Sequence, residues 1–191
     1  MRTHRNRWQV FAGLLVTTGL ATPAVAQVSA PASARIAWGL PLSLAALDST
    51  NGIGPITFGM GLPEVPLVLT EMKATNTALV GCRAASTALV INGLRLYGGI
   101  ILVAYRGHVA KLNLGVSNAA DAEPLLAELQ ARYGPGKKIG YQTVEWVGSV
   151  ITLRYVPVIA RASKTVMGSL YLLNNVLIAQ QQTEEADTRR R

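Results

Sequence analysis

From Thr87 to Val116 apolar and polar positions alternate in short runs: TALVI, LRLY, IILVAY and VAKLNLGV, broken at Asn92-Gly93, Gly98-Gly99 and Arg106-Gly107. The pattern predicts a meander of antiparallel strands. Asn92-Gly93 suits a two-residue hairpin turn, because both positions accept positive φ, and Gly98-Gly99 marks a bulge or a second turn. In the last run Ala110, Leu112, Leu114 and Val116 point one way and Lys111 and Asn113 the other, giving one buried and one wet face. The period then lengthens. In NAADAEPLLAELQARYGPGKK, Leu125, Leu126, Leu129 and Tyr133 form a helical stripe. Asn118 or Asp121 caps that helix, Asp121 and Glu123 sit near its positive end, and Gly134-Pro135 closes it. Alternation returns in YQTVEWVG and VITLRYV, which flank a hairpin turn at Gly148-Ser149, and in GSLYLL. Asn174-Asn175 then turns the chain into a short helix at VLIAQQQ.

Upstream lies GIGPITFGMGLPEV, residues 52–65. Val65, Val68, Leu69 and Met72 fall at helical spacing, which predicts a helix over 61–73 with Pro63 in its first turn and a kink at Pro66. The expected fold class is therefore α+β, with two helices packed on one face of a largely antiparallel sheet. Helix-then-strands occurs twice, as a diverged duplication would give. The glycines of the 52–65 stretch keep neither the dinucleotide spacing nor the Lys-Ser/Thr of a phosphate loop, and Pro55 removes an amide that a phosphate nest would use. They read as turn geometry.

The first residues carry a different message. MRTHRNR is basic, WQVFAGLLVTTGL is apolar but too short to span a bilayer, and Ala24 and Ala26 precede Gln27 at the spacing of a signal-peptidase site. Residues 1–26 are expected to be a secretory signal cleaved between Ala26 and Gln27, leaving a periplasmic or secreted chain with no membrane span. Residues 27–50, rich in Ala, Ser and Pro, read as a flexible arm, 51–179 as one domain and 180–191 as a charged disordered tail. The formal charge of +8 includes Arg2, Arg5 and Arg7 of the signal, and the tail acids and arginines cancel. The folded part keeps about +5, which favours partners with acidic surfaces. Its basic residues are scattered, so a nucleic-acid partner is not expected. Cys82 is the sole cysteine, without a histidine or acid among its neighbours, and reads as a small buried residue.

No catalytic constellation emerges. His108 is the only histidine after the signal and falls at a hairpin tip, and too few histidines and cysteines are present for a zinc site. No enzyme activity, cofactor or metal is expected. The candidate interaction face comprises Arg95, Lys111 and Arg154, with Trp146 and Tyr141 as aromatic anchors on the C-terminal strands.

FGMGLPEV at 58–65, VAYRGHVAKLNLGV at 103–116, LLAELQARYGPGKK at 125–138 and VEWVGSVITLRYV at 144–156 occur in an order that resembles small bacterial periplasmic domains. The wider group is that of the outer-membrane-assembly lipoproteins and the β-lactamase-inhibitor-protein-like domains. The resemblance implies a helix-plus-antiparallel-sheet domain whose members mostly bind proteins. This chain departs from it in lacking a lipidated cysteine and in carrying Pro66. The expectation is a non-enzymatic protein-binding module. The alternatives are a small-ligand or envelope-glycan binder with a cleft between helix and sheet, and a hydrolase.

Overall fold

The structure, a computed structural model, describes residues 39–76, 78–84, 89–140, 142–160 and 165–190. Residues 1–38, which include the expected signal, and Tyr141 lie outside them. Helix α1 (Leu44–Thr50) forms within the stretch that reads as an arm, because Ser43 Oγ accepts the Ala46 amide at 3.2 Å as an N-cap and Leu47 is fully buried. Asn51, left-handed at φ 47°, ends it. A small ribbon follows, β1 (Gly52–Ile53) against β2 (Ile56–Thr57), and its Ile53, Ile56 and the adjoining Phe58 enter the core.

The expected helix over 61–73 is absent. Leu62–Glu64 makes one 3-10 turn, and β3 (Leu69–Asn76) is a strand. Pro66 removes an amide hydrogen and clashes with the preceding turn, and it drives Val65 into an extended conformation at ψ 119°. The apparent helical stripe therefore splits: Val65 is buried while Val68 is 81% exposed. Without that helix the fold class is not α+β with paired helices on one face, and the helix-then-strands repeat disappears. Among the described residues the fold is largely β, with one ten-stranded antiparallel sheet, the small ribbon and three α-helices.

The further strands are β4 (Leu79–Ala84), β5 (Leu89–Ile91), β6 (Leu94–Tyr97), β7 (Ile100–Tyr105), β8 (His108–Ser117), β9 (Lys137–Ile139), β10 (Thr143–Val147), β11 (Ile151–Ile159) and β12 (Val166–Asn174). The large sheet runs β3-β4-β7-β8-β12-β11-β10-β9. The β5–β6 hairpin turns at Asn92-Gly93 as the sequence predicts, but Gly98-Gly99 carries the chain away: β6 pairs with the end of β8, and β7 pairs with β4 and β8. Both sides of this arrangement depend on Gly115 at φ 104°, where β8 bulges and a Cβ would approach Tyr97 O to 2.5 Å.

Register decides the two faces. Cys82, Leu102, Leu112, Leu172, Leu153 and Trp146 lie side by side across six strands, and this row points inward. It packs beneath Leu47 of α1, the ribbon, and Leu125 and Leu129 of α2 (Ala122–Tyr133). Asn118 Oδ1 accepts the Asp121 amide at the start of α2. Helix α3 (Asn175–Arg190) extends through the stretch that reads as a disordered tail. Contacts such as Gln181 Nε2 to Glu185 Oε1 at 2.8 Å support it, and Arg189 and Arg190 complement its negative end. It packs on the opposite side of the sheet from α2, over the outward-pointing Tyr105, with Arg106 Nη2 2.6 Å from Glu184 Oε1.

Candidate functional site

The row adjacent to the core row faces outward: Arg83, Ile101, Asn113, Tyr171, Arg154, Glu145 and Lys137. Strand pleating alone puts Arg154 and Glu145 opposite one another. The Arg154 guanidinium donates to the Glu145 carboxylate, so this cation is largely neutralised on the face. Lys111, one row further along β8, holds its Nζ 4.8 Å from the centroid of the Tyr171 ring, a cation–π contact. Burial, then repulsion from Arg154, lowers the Lys111 pKa below the ordinary lysine range. The strip therefore has a fixed aromatic plane, one half-buried ammonium and one clamped ion pair.

The sequence-predicted face is only partly assembled. Lys111 and Arg154 come together. Arg95 shares the outward side, because Tyr97 pairs with Val116, Val116 with Ser169 and Ser169 with Val156, two residues from Arg154. It stands at the β6 corner instead, its Cζ 5.5 Å from the centroid of the Tyr97 ring. Trp146 belongs to the other side. It is 3% exposed, with Nε1 donating to Gly134 O at 2.7 Å and its ring tilted against Tyr133, so it is a core residue and not an anchor. Tyr141 lies outside the described residues. Tyr171, whose parity in GSLYLL is opposite to that of Leu170 and Leu172, joins the face, as do Arg83, Asn113, Glu145 and Lys137, all of them outside the set of five predicted for it.

A cleft of about 630 Å³ opens on the inner side between α2 and the β9–β12 end of the sheet. Its floor is Ala122, Leu126, Val144 and Pro157, and its rim carries Glu123, Gln130, Lys138 and Gln142. Tyr155 closes one end, its hydroxyl donating to Ala122 O at 3.1 Å and its pKa raised by burial.

The remaining chemical candidates are engaged structurally. His108 Nδ1 donates to Gly59 O at 2.9 Å, and the amides of Gly59 and Leu62 donate to Val109 O and Gly107 O, so the glycine-rich stretch is stitched to the β7–β8 turn. Burial, reinforced by the Glu71 charge, pushes the Cys82 thiol up and keeps it protonated. Glu145 and His108 stand on strands separated by β12 and β11, about 14 Å across the sheet at ordinary strand spacing, and are offset further along it, since Glu145 is in register with Asn113. Among the described residues no group of three His, Cys, Asp or Glu side chains converges as a metal site. Comparison with protein-family models, curated proteins and solved structures finds no match.

Proposed function

We propose that this chain is an extracytoplasmic binding protein without catalytic activity, and that it engages an acidic protein surface through the outer side of its large sheet. The observation that carries the reading is the pair of Lys111 on Tyr171 next to Asn113, with Arg83 on the same outward row two strands away, across Ile101. The aromatic ring offers flat area at low entropic cost, and the cations give charge complementarity to an acidic partner. The basic, apolar and small-residue order of residues 1–26 supports the location.

The test is capture from bacterial envelope extract with the wild type, the Arg83→Glu/Lys111→Glu double variant and Arg95→Glu. Arg154 is left alone, since reversing it would set two carboxylates side by side. Partners lost by the double variant and kept by Arg95→Glu are the expected result. The same partners on all three proteins would refute the assignment of this face.

A further inference from the structure

The cleft between α2 and β9–β12 lies on the opposite side of the sheet from the strip, and nothing in the binding reading uses it. Its residues define what it can hold. Leu126, Val144 and Pro157 make an apolar floor, and a volume of about 630 Å³ lies within the range of small-molecule sites. Trp146 is buried in the core, and Tyr155 is only 4% exposed with its hydroxyl committed to Ala122 O. The described lining therefore presents no open aromatic plane for a sugar ring.

The rim supplies the polarity. Lys137 and Lys138 are adjacent, but register separates them. Lys137 pairs with Glu145 on the outer side, whereas Lys138 pairs with Val144 and shares its inward side. Lys138 can thus lay its alkyl stem along the apolar wall and hold its ammonium at the mouth. Neither of the cleft's two charged residues takes part in an ion pair among the described residues. Glu123 sits in the first turn of α2, where the helix N-terminus compensates its charge. Lys138 has no such compensation. Gln130 and Gln142 add amide donors at the same rim.

We infer that this cleft binds a small amphipathic carboxylate, its hydrocarbon body on the Leu126–Val144–Pro157 floor and its carboxylate against Lys138. The test is calorimetric titration of the full chain with decanoate, decanol and decylamine, each below its aggregation threshold. Decanoate should bind saturably at one site. Lys138→Gln should weaken it about tenfold, the value of one charge-assisted contact. Leu126→Trp should abolish binding with unchanged circular dichroism and melting midpoint, and Ala119→Trp, at the exposed rim, replaces it if the core does not accept the indole. The inference fails if decanoate does not bind, if decanol binds as tightly, if decylamine binds more tightly, or if decanoate binding survives both substitutions. The strip variants Arg83→Glu and Lys111→Glu should leave decanoate binding unchanged, so the two sites stand or fall separately.

Discussion

The carboxylate of Asp48 is the clearest place to perturb this fold. It accepts four hydrogen bonds from the β10–β11 turn: the Ser149 amide at 2.6 Å, the Ser149 hydroxyl at 2.9 Å, the Val150 amide at 3.1 Å and the Ile151 amide at 2.8 Å. Three consecutive amides thus form an anion nest that α1 fills with its own side chain. Each charge-assisted bond is worth about 1.5–3 kcal/mol, but they share one carboxylate and Ser149 can rehydrate, so the sum is not reached. Asp48→Asn keeps the shape, removes the charge and turns an NH2 toward donors, and should cost about 2–3 kcal/mol. For a domain of this size that lowers the melting midpoint by roughly 4–12 °C. Urea unfolding should show a lower midpoint at an unchanged slope. The pH dependence supplies the decisive control. Burial alone would raise the Asp48 pKa, but the bonds from Ile151, Ser149 and Val150 outweigh it and the pKa is lowered. A depressed folded pKa contributes stability that is present above the unfolded value and is lost as pH falls through the folded one. The gap between wild type and Asp48→Asn should therefore be full at pH 7 and shrink below about pH 4. Equal gaps at pH 7 and pH 3, or none at pH 7, would refute the reasoning.

Gly115→Ala should destabilise by about 3 kcal/mol in denaturant titration, since it combines positive φ with a collision at Tyr97 O, whereas Gly107→Ala, at φ 82° in open space, should cost only about 1 kcal/mol. Cys82 should be silent to a thiol reagent in the native protein and react fully in denaturant; rapid native labelling would contradict its burial. Glu184→Gln should change stability by less than about 1 kcal/mol, because the Arg106–Glu184 pair is exposed at 66% and 42%.

Much of the sheet was legible because its strands carry strict alternation and its turns carry the right residues, as at Asn92-Gly93 and Gly148-Ser149. Helix α2 was legible for the same reason, with a stripe, early acids and a glycine stop. The misreading of 61–73 comes from a short apolar run that fits two periods. Val65, Val68, Leu69 and Met72 suit a helix on paper, yet two prolines three residues apart decide against it, and the pairing partner that makes 69–76 a strand lies at 79–84. Helix α1 was missed because its evident reward is one buried leucine and a carboxylate whose acceptor role depends on a turn a hundred residues later. In the candidate site, the error over Trp146 was avoidable. Within TVEWV, Trp146 lies opposite in parity to Glu145, so a face that contains Arg154 and its partner Glu145 excludes the tryptophan.

That parity also fixes what the outer strip can contribute to binding. Arg154 spends its charge on Glu145, and Lys111 is half-desolvated over Tyr171, so neither behaves as a free surface cation. Arg83 and Lys137, at opposite ends of the row, both exposed and without an ion pair among the described residues, are left as the sources of long-range attraction. The two roles separate by observable. Reversing Arg83 should act on the association rate and fade as salt is added, because exposed charges are screened beyond about 8–10 Å. Replacing Tyr171 with alanine removes the aromatic plane and frees Lys111 into water, and should act on the dissociation rate at any ionic strength. A partner whose association is unaffected by Arg83→Glu at low salt, but which dissociates faster with Tyr171→Ala, would place the recognition in the ring and not in the charge.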